Sequence, residues 1–473
     1  MGTLVKDREK AYKLWSRILN YETGVYPSWI ADCTSNCLFY HGEQWTETER
    51  EKLKERGQYE LVINRIRKAM RGITGMVAAN IPKYQIVSNG ESHDDKVAIA
   101  NKLIDWAWSN SGGTNTFRKA VKRAIVDNIS YMLVYFSRDS KVKFDVLNYS
   151  DVVVDPASKH PLFDDAEMVC IRRYLAIDVV KEIYGITEPL SAWSFNNTGY
   201  PDLIERTDTE YASKIDIIGK VFSPDKQYVK IYECYRKEMY RLPDGELGSK
   251  IKKVTLIGFD HIYEEELPAH ITEYPVIPLY SEDTENPYKR GEVHYVKDLQ
   301  RFINKAYGVV LMNAQTMSMP KLIFEESAIP DGDVSKFEEV TPNGIYVVTT
   351  GSKEPIVVQG QPINSAFFNL YLDAVRQFDD STLPAQFLNS MNTPSQHSDL
   401  LQMRENILDS FKDLLGNIDY ATSRLGMIVL QFCQAFLGKN KITRIIDGNK
   451  RLQTIEKYLK MSLNVDDENS VAK

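Results

Sequence analysis

Gly42-Glu-Gln-Trp45, a charged segment over 46–60, Leu61-Val-Ile-Asn64-Arg65-Ile66, a run through Gly72 and Gly75 to Asn80, and Pro82-Lys-Tyr-Gln-Ile-Val87 form the most informative part of this chain. A helix is expected to halt at Gly42, because glycine accepts the left-handed geometry that closes a helix. Trp45 then plants an aromatic anchor. A helix rich in acids and bases follows, and Leu61–Ile66 reads as a short apolar strand. Asn64 has the side chain of an N-cap for the next helix, and that helix is expected to stop before Pro82. No step in this order carries a catalytic constellation.

The chain has 473 residues, which predicts two to four domains. Apolar residues make up 43% and charged residues 26%, proportions that permit real cores. A net charge of −7 argues against tight wrapping of nucleic acid, which needs a cationic footprint. The longest apolar-rich run, 425–437, is broken by Gln431 and Gln434 and is too short to span a bilayer. Lys6, Asp7, Arg8, Glu9 and Lys10 leave no apolar core for a signal peptide at the N-terminus. Cysteines at 33, 37, 170, 234 and 433 are scattered, as expected in a reducing cytosol.

Working outward, residues 1–130 are predicted to be mostly helical. Trp29, Ile30, Cys33, Cys37, Leu38 and His41 recur at helical spacing before Gly42. Helices are predicted over 94–108 and 116–128, separated by a Ser111-Gly-Gly-Thr-Asn115 loop. From Tyr131 the texture turns to strand, with runs at 132–136, 142–147 and 151–154, then a small helix over 178–184. Residues 186–225 read as an irregular insertion. Strands over 228–237 and 251–259 flank the turn signal Leu242-Pro-Asp-Gly-Glu246. Helix returns at Glu292, with Val293, Val296, Leu299, Ile303, Tyr307, Val310 and Leu311 on one stripe. Residues 320–364 form a small module with strands at 321–324, 344–349 and 355–359; a second helix is capped by Asn364 or Ser365. A polar loop follows, and then the longest predicted helix, 398–437. Two helices flanking a compact tip place that tip far from the body, the first projecting roughly 35 Å at about 1.5 Å per residue. Such stalks suit rings of subunits, whose helices pack against a neighbour's.

This order of signals resembles the portal proteins of tailed bacteriophages, ring-shaped DNA channels at one capsid vertex. The resemblance is carried by Gly42, Gln44, Trp45, Leu61, Asn64, Arg65, Gly75, Asn80 and Pro82. It continues through Val146–Asp151, Asp155-Pro156, Asp164-Asp165-Ala166 and the helix with Leu299, Ile303 and Asn304. It implies an α+β, portal-like subunit of a ring oligomer, dodecameric if it follows the family. Residues 1–285 would be a wing, helical over 1–130 and mainly β over 131–285. Residues 292–318 and 365–380 would be two stem helices flanking a small α/β clip, 320–364. A tunnel loop at 381–397 and a long wing helix at 398–437 would follow, then a short C-terminal region, 438–473, in place of the usual crown. The chain departs from the family at Ser130-Tyr131-Met132, where a Gly-x-Gly element is common.

The resemblance further implies a channel for packaging and ejecting double-stranded DNA, with ATP hydrolysis left to a separate terminase motor. Partners would be that motor, a tail adaptor, and the major capsid and scaffolding proteins; the place would be the virion, after assembly in the host cytoplasm, with no membrane. Gln386, Asn389, Ser390, Asn392, Ser395, Gln396 and His397 of the tunnel loop would line the channel, polar and nearly uncharged. Glu325, Glu326, Asp331, Asp333, Glu338 and Glu339 of the clip would face docking partners. With Glu354 these are seven acids against Lys321, Lys336 and Lys353, a net −4 repeated by every subunit.

Candidate chemistry is sparse. Cys33, Cys37 and His41 share a helical face, but a closed zinc site needs four ligands and no second cluster lies near, which favours a core stripe ending in a histidine. Asp151, Asp155, Asp164, Asp165 and Glu167 could hold a divalent ion or serve a carboxylate-dependent hydrolase; carboxylates around Asp-Pro also serve turns. Arg65, Arg67, Lys68 and Arg71 form a basic face that suits solvent or intersubunit ion pairs better than DNA. No phosphate loop or nucleophile elbow occurs, and no cofactor, metal site or enzymatic role is expected. Beside the portal reading stand another ring-forming virion protein, such as an adaptor or ejection protein, and the hydrolase.

Overall fold

Asp7 accepts the Lys10 N–H at 3.0 Å and so starts the first helix, α1 (Arg8–Tyr21). In the computed structural model the described residues are 2–79, 94–137, 139–187, 228–241, 247–258, 261–318, 321–323, 356–358, 365–382, 409, 411–437 and 442. Helix α2 (Tyr26–His41) ends at Gly42, whose φ of 100° is the left-handed stop expected there. Thr46 and Glu49 close a reciprocal capping box on α3 (Glu47–Glu55). Asn64 caps α4 (Arg65–Ala79) by accepting the Arg67 N–H at 3.0 Å. Helices α5 (Asp94–Asn110) and α6 (Gly113–Val126) follow.

The β elements are antiparallel throughout. β2 (Ile129–Phe136) lies between β3 (Val142–Leu147) and β9 (Val276–Tyr280) in a three-stranded sheet. The larger sheet contains β1 (Thr3–Lys6), β4 (Val152–Val154), β5 (Met168–Ala176), β6 (Tyr228–Arg241), β7 (Leu247–Ile257) and β8 (His261–Glu266), in the order β1-β8-β7-β6-β5-β4. Helix α7 (Ile177–Tyr184) ends at Gly185, again left-handed with φ 68°. Three helices complete the described elements: α8 (Glu292–Ser318), α9 (Ser365–Thr382) and α10 (Lys412–Phe436). β10 (Lys321–Ile323) pairs with β11 (Ile356–Val358).

The described chain divides into two units. One takes Met1–Glu43, Asn64–Lys297 and Ser381–Lys473; the other takes Gln44–Ile63 and Asp298–Asp380. In the first, Ala11 and Ile18 of α1 and Trp29, Ile30 and Cys33 of α2 pack with Val153, Val169, Ile171, Tyr232 and Ile262 of the larger sheet. Helices α5, α6 and α10 pack on the three-stranded sheet. α2 is broader in burial than the single stripe expected of it: Asn36 through Tyr40 are all buried, because α4, α6 and a 3-10 turn at Tyr149–Asp151 flank it.

Several boundaries differ from the sequence reading. Leu61–Ile66 is not a strand: 61–64 is irregular, and Ile66 already belongs to α4. Its backbone bonds go to side chains instead of a neighbouring strand, as described below. Thr114 and Asn115 are helical rather than loop, because Gly112, left-handed at φ 59°, starts α6 early. Asp151 ends the 3-10 turn, so β4 begins only at Val152. Ser381 and Thr382 extend α9 by two residues into the expected loop. The longest helix was expected to run unbroken from 398, but Phe411 is non-helical and α10 begins at Lys412. Strands β1, β5, β8 and β9 were not singled out in the sequence. The turn 242–246 and the insertion 188–225 lie outside the described residues.

Candidate functional site

Within the first unit, the opening turns of α8 are held by a polar cluster. Asp32 of α2 pairs with Lys297 and with His294 Nδ1, the latter at 2.9 Å. Asn128, in the left-handed region at φ 74° and fully buried, sits between α6 and β2. Its Oδ1 accepts the Asn36 amide at 2.8 Å and the Gly291 N–H at 2.9 Å, while its Nδ2 donates to Asp32 Oδ2 at 2.9 Å. Lys297 also donates to Asn36 Oδ1 at 3.2 Å. Gly291 has to be glycine for space: a Cβ there would lie 2.7 Å from the Ile125 carbonyl oxygen. Burial opposes the charge on Asp32, yet Lys297 and Asn128 together hold its carboxyl below the usual range.

Beside this cluster, Asp127 is buried at the C-terminal end of α6. Burial pushes its carboxyl up to about 6, against the pull of Arg123, Lys122 and the Cys37 thiol. Cys33 and Cys37 are buried in the core, and burial raises both thiols, so the thiolates that a metal requires are disfavoured. His41 lies on the exposed end of α2.

Within the second unit, the segment after Gly42 is secured by neutral amides. Asn304 Oδ1 accepts the Ile63 N–H at 3.1 Å and the Gln300 amide at 2.9 Å. Asn304 Nδ2 donates to Gln44 Oε1 at 2.6 Å, and Gln300 donates to the Ile63 carbonyl at 2.7 Å. The Trp45 indole N–H donates to the Leu61 carbonyl at 3.1 Å. Residues 61–63 thus satisfy backbone groups without a strand partner. Gln44, Gln300 and Asn304 are nearly fully buried. Lys305 pairs with Glu49 at 2.9 Å toward the surface.

The acidic group of 151–167 is dispersed among structural tasks. Asp151 Oδ2 accepts the Asn148 N–H at 3.0 Å. Asp155 accepts the N–H groups of Ala157 and Glu167 at 3.0 and 3.1 Å. Asp165 takes the Ser158 hydroxyl at 2.6 Å and the Lys159 N–H at 2.8 Å. Glu167 pairs with Arg17. Asp164 is clasped by Arg424 of α10 at 2.7 Å, and Arg424 also reaches Glu273 at 2.5 Å. Each carboxylate is aimed at its own donor, so the five do not converge on one ion or substrate. No group of metal-binding residues occurs among the described residues.

Two faces remain open in the second unit. Phe302, Tyr307 and Val309 of α8 are exposed, as are Phe368, Leu370 and Leu372 of α9. The stripe read from the sequence is buried at Ile303, but Tyr307 on the same stripe is exposed. Arg67, Lys68 and Arg71 are exposed on α4. The loop residues Gln386, Asn389, Ser390, Asn392, Ser395, Gln396 and His397 lie outside the described residues, as do the acidic residues Glu325, Glu326, Asp331, Asp333, Glu338 and Glu339. Gln44 and Asn304 were among the residues that carried the resemblance; Asp32, Asn36, Asn128, Glu273, His294, Lys297, Gln300 and Arg424 were not anticipated. The signal for Gln300 and Asn304 is visible in retrospect, as polar residues four apart on the inward face of a helix.

No helix among the described residues is long and apolar enough to cross a membrane. Comparison with curated proteins finds no match to the chain. The family model of the phage P22-like portal protein matches residues 17–472. That span takes in both units, the polar anchors of α8 and the dispersed acidic loop, and the family is structural rather than catalytic. The chain therefore belongs to the P22-like phage portal proteins, virion components that serve DNA packaging.

Proposed function

We propose that twelve copies of the chain close into a ring, and that double-stranded DNA enters and leaves the capsid through its centre. In this reading 1–285 is the wing, 292–318 and 365–380 are the stem helices, 320–364 is the clip, and 381–397 is the tunnel loop. The wing helix lies within 398–437, interrupted at Phe411. The reading rests on the exposed apolar side chains of α8 and α9, led by Phe302 and Phe368. An apolar face of this kind on a stalk is a surface for a neighbouring copy. The clip acids, Glu325 through Glu339, would present a negative collar to the terminase motor and the tail adaptor. The near-neutral loop would brush DNA without holding phosphates.

Light scattering coupled to size exclusion, with negative-stain imaging, tests assembly. The expected result is a ring with a central hole and a mass many times the 54.3 kDa of one chain. A stable monomer at micromolar concentration sinks the proposal. For the loop, Asn389→Lys places one added cation per subunit around the DNA. It is expected to assemble normally yet slow DNA passage, with relief at high salt. Unchanged passage at both low and high salt would remove the loop from the channel wall.

A further inference from the structure

A cavity of about 270 Å³ lies in the first unit between α1 and the larger sheet. Its floor is apolar, made by Leu14, Met168, Val254 and Ile262. Its rim is cationic: Lys10, Lys13 and Arg17 from α1, and Arg236 from β6. Residues 10, 13, 14 and 17 recur at helical spacing, which brings three cations and one leucine to the same face.

The rim carries a surplus of positive charge. Lys10 and Lys252 both pair with Glu264. Arg17 and Arg236 likewise share Glu167, at 2.6 and 3.7 Å. Four of the lining residues are cations and none is a carboxylate, so the walls of the opening present positive charge. Lys13 pairs with Glu9 one turn away, and both side chains are largely exposed.

We propose that this cavity docks an acidic peptide segment of a partner protein, with one large aliphatic side chain inserted among Leu14, Met168, Val254 and Ile262. Size and charge both select this occupant. The volume is below the ~300–1,000 Å³ usual for a drug-sized ligand and fits one large side chain. The α1 cations span about 10 Å of helix, the length of roughly three residues of extended chain. Carboxylates flanking the anchor can therefore meet cations on both sides of the opening.

The test uses the full chain and a fluorescein-labelled pentapeptide, one leucine flanked by two glutamates on each side, followed by fluorescence anisotropy. Saturable binding that weakens as salt is raised is expected. Arg17→Glu with Arg236→Glu is expected to weaken it about tenfold, as two reversed surface charges do. Replacing the central leucine with alanine is expected to cost a similar factor. Lys13→Glu, at a highly exposed side chain, gives a milder loss in a variant whose thermal unfolding matches the parent. The proposal is overturned by equal binding to the charge-reversed chain or by equal binding of a lysine-flanked peptide. Absence of binding up to millimolar peptide overturns it too, as does decanoate occupying the cavity where the peptide does not.

Discussion

The two units hold their parts of α8 by different physics. In the first, Asp32 and Lys297 bring charge to a partly buried junction, and His294, Asn36 and Asn128 hydrogen-bond to it. In the second, Gln44, Gln300 and Asn304 do the equivalent work with neutral amides. A charged junction responds to pH and a neutral one does not, because only the former changes its proton count on unfolding. The contrast also separates two ways of being buried. An amide loses little solvation if every donor and acceptor is matched, whereas a charge needs both a counter-ion and hydrogen bonds.

The largest expected effect tests the neutral side. Asn304→Leu keeps the branched shape but removes the acceptor of the Ile63 N–H and the donor to Gln44 Oε1, at a cost of about 3 kcal/mol. Thermal unfolding at low and high salt should show the same loss. A strongly salt-dependent loss would break the contrast between the units.

Asp32→Ala tests the charged side, with an expected loss of about 2 kcal/mol near pH 7 as Lys297 loses its counter-ion. The folded pKa of Asp32 is depressed, so its contribution is present above the unfolded carboxylate value and fades as pH falls through the folded one. The difference between parent and variant should therefore shrink below about pH 4. A difference that stays constant down to pH 2 would mean that the charge of Asp32 is not what matters.

Asp127 sharpens the comparison because its sign is opposite. Its carboxyl is pushed up to about 6, so its contribution is full below the unfolded value and is lost as pH rises through about 6. Asp127→Asn should stabilise the chain by about 2 kcal/mol at pH 7 and by little at pH 4. Chemical denaturation at the two pH values measures this directly. Destabilisation at pH 7 would show that the Cys37 bond outweighs the buried charge.

The smallest effect is expected from Asp151→Asn combined with Asp155→Asn. These side chains shape turns, so ring assembly and DNA packaging should remain, with a stability loss of about 1 kcal/mol. Packaging assays with the double variant check it. Loss of a hydrolytic activity in a folded variant would return the enzyme reading to contention.

Local signals in the sequence located many of the described elements. Gly42, Asn64 and Gly185 stop or start helices where their side chains and backbone freedom require, and the structure places a cap at each. The apolar stripe of α8 was visible by its period, β2 and β3 by their β-rich composition, and the pair β6–β7 by the turn signal between them. The error at Leu61–Ile66 has a clear cause. An apolar run of that length satisfies a strand pattern, but whether a neighbouring strand exists is not a local property. Gln300 and Asn304, more than 230 residues away, supply the bonds instead.

What the sequence by itself determined is the family, the helix punctuation, the alternation that makes sheets, and the near-neutral character of 381–397. Those features depend on residues within a few turns of one another. Tertiary structure alone decided that β1 pairs with β8, that Asn128 joins Asp32 to Gly291, and that the acids of 151–167 part company. Each of those outcomes needs partners that meet only after long loops close, and no local propensity encodes the meeting.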